Sequence, residues 1–303
     1  MSACYSNALL RLCLAAALGL SGSGAWAEAI EKRAAAEPTG EVEIVNVAGT
    51  VRVSGWNKAE VEVGGEIEDQ DRLEFSTQGS RTTIRVKSPR SRNGGGTDLI
   101  VRIPERSALT INTTSADQRI DRIKGRQRLQ SVSGSIDTEI GIEELYAKSI
   151  SGDIRVLGIG AEAAPPATMR RVSTVSGDIT LSKINGEIEL ETVSGDMQID
   201  ATELTRARLN TTNGDIHIET KLAKDGRFDA ETINGDVRLK LLGTVDAEFD
   251  IHTFNGDIDS CFGGEKVQTR EFGPGRDLDF KQGAGSARVR IKTLNGEVDL
   301  CGR

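Results

Sequence analysis

The sequence predicts an all-β fold: a single-stranded parallel β-helix, or β-solenoid, of about nine rungs, with a β-rich N-terminal cap and a C-terminal hairpin excursion. Three observations carry this expectation. From Ser176 to Ala201 the chain reads SGDITLSKI, NGEIELETV, SGDMQIDA, so one phrase (small polar residue, Gly, acid, apolar residue) returns every nine residues. Apolar residues hold fixed columns around those glycines, which is strand patterning. Aromatics make up only 4% of the chain, beside 34 Gly and 6 Pro. That balance suits a narrow aliphatic core with many turns and uninterrupted strands.

The turn glycines are Gly134, Gly152, Gly177, Gly186, Gly195, Gly214, Gly235, Gly256 and Gly296, at steps of 18, 25, 9, 9, 19, 21, 21 and 40. The step of 25 carries the insert Ala161–Thr168, and the step of 40 one long excursion. Leu, Ala, Val or Ile stands five residues before each Gly, and Ile, Val or Met two after it. Two before it stand Val132, Ile150, Val175, Ile184, Val193, Thr212, Ile233, Phe254 and Leu294. The alternation breaks parity once, between the fifth and second residue before Gly, and reads as a corner between two short strands. Gly accepts positive φ at no steric cost, so Ser-Gly and Asn-Gly supply that corner. One such rung cannot bury its apolar column alone. Rungs stacked roughly 4.8 Å apart can, and each then bonds to the next.

Residues 1–27 read as a secretory leader. Arg11 is its only charge, Leu12–Leu20 is too short an apolar run to span a bilayer, and Ala25-Trp26-Ala27 is an A-x-A site. Cleavage between Ala27 and Glu28 is expected, and Cys13 does not read as a lipoprotein acceptor. Residues 28–40 read as a polar linker. Residues 41–111 carry several strand-like runs and read as a β-rich cap continuous with the solenoid, covering an edge that would otherwise invite aggregation. Residues 112–303 are the repeats. Leu109–Ile120 is a degenerate first rung with Ala116 in the Gly place, and nine rungs give a stack on the order of 40 Å long. The excursion Cys261–Gly285 reads as a hairpin over the end of the stack, with Phe262, Phe272 and Phe280 as its apolar seal.

Cys261 and Cys301 each lie five residues after a turn Gly. If the excursion is a side hairpin, their rungs are neighbours, and rung spacing matches the separation a disulfide needs. In an exported chain these two mature cysteines are expected to pair.

The net charge of −8 argues against a nucleic-acid partner, which needs clustered Lys and Arg. The acids after the turn glycines (Asp153, Asp178, Glu187, Asp196, Asp215, Asp236, Asp257, Glu297) resemble a calcium ladder. However, one Gly per turn falls short of the GGxGxD of calcium-binding rolls. Carboxylates accepting backbone N–H groups at solvated corners are the expectation. Asn213, Asn234, Asn255 and Asn295 are expected to form an amide ladder along the stack. The Ser/Thr column three before Gly would be either a flat ice-binding array or, as expected here, ordinary stacking. Phe228, Phe249 and Phe254 are placed in the core. The only histidines, His217 and His252, fall in different register positions and read as surface residues. Neither a nucleophile motif nor a phosphate loop is found, and neither metal nor cofactor is expected. The competing function, a polysaccharide lyase or hydrolase on a β-helix, needs a cleft between the two excursions with paired acids.

VAGTVRVSGW near the start, LIVRIPERSALTINTTSAD in the middle and the serial SGDI, NGEI and NGDI turns, behind an exported leader, resemble a bacterial adhesin-like β-strand-repeat family of unknown function. That family is related to autotransporter-adhesin head domains. The resemblance covers about Glu41 to Leu300. It implies a β-solenoid of the cell envelope with an adhesive or scaffolding role, and it brings no catalytic residues. No translocator barrel or wall-sorting signal is seen before Arg303, which favours a periplasmic or secreted protein. The expected partner is an envelope component or a protein, with end-to-end or edge self-association as a further expectation. No transmembrane segment is expected in the mature chain.

Overall fold

The computed structural model describes residues 28–67, 71–88, 96–159, 168–262, 266–268 and 275–300. Among these, 22 strands form one continuously hydrogen-bonded sheet, and no helix occurs. The N-terminal part holds β1 (Glu28–Ala35), β2 (Glu41–Trp56), β3 (Glu60–Ile67), β4 (Arg72–Gln78), β5 (Arg81–Lys87), β6 (Thr97–Pro104) and β7 (Ala108–Asp121). The middle holds β8 (Gln127–Gln130), β9 (Ile136–Ile140), β10 (Leu145–Lys148), β11 (Ile154–Gly158), β12 (Met169–Ser173), β13 (Ile179–Glu191), β14 (Met197–Asn210), β15 (Ile216–Asn234) and β16 (Val237–Leu241). The C-terminal part holds β17 (Ala247–Asn255), β18 (Ile258–Ser260), β19 (Lys266–Gln268), β20 (Arg276–Gln282), β21 (Ala287–Asn295) and β22 (Val298–Leu300).

A middle rung is a strand, a Ser/Asn-Gly corner, a second strand and a return bend. β12 turns at Gly177 into the first half of β13, which bends near Lys183 into its second half. Lys183 and, in the return bend of β15, Asp225 take the left-handed conformation there (φ 56° and 59°). The sheet thus folds into two parallel walls. In one, Val172, Leu190, Leu209 and Ala230 lie in register on successive strands. In the other, Ile136, Ile154, Ile179, Met197, Ile216 and Val237 do the same. All of these are buried in one continuous core. Each aliphatic side chain removed from water contributes roughly 1.5–3 kcal/mol before the cost of ordering the chain.

Stack order follows chain order from β8 to β16, but the molecule is not the simple series of nine successive rungs expected. The last rung in sequence, β21 with β22, lies between the β15–β16 rung and the β17–β18 rung. The Gly256 and Gly296 rungs are neighbours, as expected, with Gly296 on the inside. β20 then pairs antiparallel with β17, and β19 with β20, over that end. The N-terminal end uses the same device. β2 lies between β7 and an outer rung made of β5 and β6. Antiparallel β4 covers β5, while β3 and then β1 cover β6. The segment expected as a cap continuous with the solenoid thus supplies an inner rung, β2, as well as the cover, and residues expected to be linker form β1.

Two further placements differ from the sequence reading. Gly186 is not in the corner column. It sits in the return bend opposite Leu204, because nine residues cross one wall and reach the other side. Glu187 leaves the acidic column with it. Phe254 is 45% exposed, whereas Phe228 and Phe249 are buried. Phe249 stacks on Phe280 at 4.5 Å and on Phe262 at 5.7 Å, forming the apolar seal beneath the hairpin. Phe272 and Cys301 lie outside the described residues, as do 1–27 and 160–167. Arg170, at 2% exposure, donates to the carbonyls of Asn185 (2.6 Å) and Gly141 (3.2 Å), and burial lowers its pKa.

Candidate interaction edge

The corner that carries the motif glycines runs the length of the stack as one edge of the molecule. Its backbone is held by bridges from Ser133 through Ser151, Ser176, Ser194 and Asn213 to Asn234, and then by Asn234–Asn295 and Asn295–Asn255. Rungs approach closely at the corner glycines. A Cβ on Gly195, Gly214 or Gly296 would lie 2.0 Å from the carbonyl oxygen of the glycine one rung away. Their φ values of 152–159° add a conformational demand that L side chains meet poorly.

The residue three before each Gly points inward. Ser149, Thr174, Thr192, Thr232, Thr253 and Thr293 are buried, and each hydroxyl donates to the carbonyl of the neighbouring rung's Gly, at 2.9–3.5 Å. The Ser/Thr column is thus interior packing and not a flat outer array. Because an inward hydroxyl can bond there and the chain turns immediately afterwards, the next residue is forced out.

That next residue is the apolar one. In stack order the outward column is Val132, Ile150, Val175, Val193, Thr212, Ile233, Leu294 and Phe254. Its seven apolar members are 42–47% exposed. Eight positions at the ~4.8 Å strand spacing make a stripe roughly 34 Å long. The expected apolar column is present, but the corner inverts the usual rule: Thr goes in and Val or Ile goes out.

Beside the stripe runs the exposed Ser/Asn column. The asparagines form the expected ladder, Asn234 donating to Asn213, Asn295 to Asn234, and Asn255 to Asn295, each at 2.8 Å. Across the glycines lie the acids. Asp153, Asp178, Asp196, Asp215 and Asp236 each accept the backbone N–H of the acidic residue one rung on, at 2.8–3.1 Å. These carboxylates accept turn N–H groups, as read from the sequence, but the N–H belongs to the next rung, so each acts as a rung-to-rung clamp.

The edge therefore presents three parallel rows, one apolar, one of amides and hydroxyls, and one of carboxylates. Such a surface offers a long chain both apolar contact and repeated hydrogen bonding. His217 stands exposed on a wall. His252 is partly buried between carboxylates and belongs to a separate cluster. The signal for the outward stripe was present in the parity break, but a linear pattern does not say which side of a break faces water.

No curated protein matches the sequence. Solved structures that resemble the chain distantly include the following two. One is a candidate cell adhesion protein from Clostridium sporogenes ATCC 15579, at 8% identity over 91% of this chain and 100% of the other, with a TM-score of 0.21. The other is a candidate adhesin from Bacteroides fragilis NCTC 9343, at 10% identity over 90% and 96%, with a TM-score of 0.36. A family model matches residues 39–301, which spans the two walls and the corner edge described above, and the chain belongs to the Toastrack DUF4097 family.

Proposed function

We infer that the chain is a non-enzymatic, exported, adhesin-like module that binds an extended cell-envelope component along the corner edge. The observation that carries this reading is the outward apolar column. A purely structural corner would be served by a polar residue there, as Thr212 serves at one rung. Seven apolar side chains in a line broken at Thr212, each nearly half exposed, form instead an apolar strip of the kind that marks interaction surfaces. The neighbouring amides supply direction and specificity.

Export is supported by the leader-like sequence of residues 1–27. A Cys261–Cys301 disulfide fits the same location. The Cys261 N–H donates to the carbonyl of Leu300 at 3.0 Å, and Ser260 is in register with Leu300.

The test is co-sedimentation of residues 28–303 with sacculi, outer-membrane vesicles and lipid-only vesicles, in wild type and in a Val175→Ser/Val193→Ser/Ile233→Ser variant. Saturable pelleting with one fraction is expected. The variant should bind at least tenfold more weakly, since burying the three exposed portions is worth about 2–3 kcal/mol. No pelleting with any fraction, or equal pelleting by the variant, would overturn the reading.

A further inference from the structure

A second constellation lies away from the corner edge, where the closing hairpin meets the outermost rung. β17 and β20 run antiparallel with Asp250 opposite Asp279 and His252 opposite Asp277. Residues two apart on a strand share a face, so all four side chains gather on the outside of one wall. Like charges directly opposite each other destabilise a strand pair, and three carboxylates in one patch call for a cation among them.

The imidazole of His252 sits in that position. Its Nε2 is 2.7 Å from Asp250 Oδ1, and its Nδ1 bonds Asp277 Oδ1. The second oxygen of Asp250 accepts from Arg290 Nε at 2.9 Å. Asp279 makes no hydrogen bond or ion pair among the described residues, so its carboxylate is available. One ligand atom each from Asp250, His252 and Asp279 lies within 4.8 Å of the others.

One imidazole nitrogen and two carboxylate oxygens converging on an open side make a ligand set suited to Zn²⁺ or Mn²⁺. The fourth residue completes the chemistry. A carboxylate on the far ring nitrogen fixes the tautomer and orientation of a metal-bound histidine, and Asp277 stands on Nδ1. We propose that Asp250, His252 and Asp279 bind a divalent transition-metal ion, with Asp277 as the positioning residue, and that this ion fastens the closing strand β20 to β17. Without the ion, the imidazole bridges Asp250 and Asp277. With it, Nε2 gives up its proton and turns its lone pair to the metal. Water fills the remaining outward positions. The site is independent of the corner edge and of what that edge binds.

The experiment is calorimetric titration of chelator-treated residues 28–303 with ZnCl₂, with bound zinc counted after equilibrium dialysis. One zinc per chain and a zinc-dependent rise in Tm are expected. Asp279→Asn should weaken binding more than tenfold without lowering the metal-free Tm, because Asp279 makes no hydrogen bond or ion pair among the described residues and only repels Asp250 across the strand pair. His252→Gln should abolish binding, and His217→Gln should leave it intact. Absence of stoichiometric binding by the wild type would overturn the proposal, as would Asp279→Asn binding zinc as the wild type does. The Asp279→Asn result decides even if His252→Gln unfolds the hairpin, since only a metal site depends on a residue that makes no contact of its own.

Discussion

The middle of the molecule and its two ends are built from the same strands and corners but assembled differently. From β8 to β16 each rung lies on the one before it, and chain order is stack order. At either end the rung nearest the terminus is drawn inside, and an earlier or later segment forms the outer rung. At the C-terminal end β21 and β22 enter between the β16 and β17 rungs. At the N-terminal end β2 enters between β7 and β5–β6. The difference shows what the repeat controls. The Ser/Asn-Gly corner sets strand length, register and which side faces in. It does not set sequence of stacking, because any rung fits on any other. Stacking order at the ends answers a different demand, the covering of an exposed ladder. Each outer rung carries its own antiparallel flap: β20 on β17, β4 on β5, and β3 on β6.

The largest effect should come from removing residues 283–303. In a simple series this would cost only the terminal rung. Here it removes the rung that joins β15–β16 to β17–β18, leaving β17 held, among the described residues, only by β20. Amides of 247–260 should then exchange about a thousandfold faster or more, while those of 127–200 stay protected. Retained protection in 247–260 would break the comparison.

The cysteines sharpen it next. A disulfide closing a loop of about 40 residues stabilises by about 3–4 kcal/mol in the chain-entropy picture. Cys261→Ser should lower urea-unfolding stability by that amount, and a reductant should bring the wild type to the same value. Two titratable thiols in denatured, unreduced mature protein would contradict the pairing.

Corner glycines of the central stack come third. Gly214→Ala places a Cβ 2.0 Å from the Gly195 carbonyl at φ 155°, and about 2–3 kcal/mol should be lost. Gly243, with φ 81° and nothing within 4 Å of an added Cβ, needs only its left-handed conformation. Its Ala variant should lose about 1 kcal/mol. Equal losses in the two unfolding titrations would mean that close rung approach is not what demands glycine.

The smallest effect belongs to the amide ladder. Asn234 donates to Asn213 and accepts from Asn295 in the open. Asn234→Ala should cost about 1 kcal/mol by the same titration.

Much of this was legible from the residues. Turn glycines with an acid after them predicted corners, and the columns five before and two after Gly predicted the buried walls from Leu129 to Ile291. The Asn recurring before Gly214, Gly235, Gly256 and Gly296 predicted an amide ladder, and the acids were read as acceptors of turn N–H groups. What stayed hidden has physical reasons. Asn234, Asn255 and Asn295 occupy identical settings, so nothing local says that the ladder runs Asn234, Asn295, Asn255. Gly186 resembles the corner glycines because Asn-Gly also suits a return bend. Phe254 looked interior because a parity break does not reveal which side is wet. The cluster around His252 depends on an antiparallel register across 25 residues, His252 to Asp277, which no short motif announces.

The order of the last three rungs is the central claim, since it is what separates the intercalated end, with β21 and β22 inside β17 and β18, from a simple series. Two engineered pairs test it directly. Asn234→Cys with Asn295→Cys places thiols on adjacent rungs, whereas Asn234→Cys with Asn255→Cys places them two rungs, about 10 Å, apart. That separation is beyond the reach of a disulfide. Air oxidation followed by peptide mass mapping should show the 234–295 link formed in nearly every molecule and the 234–255 link absent. The reverse result would contradict the intercalated order and restore a simple series of rungs.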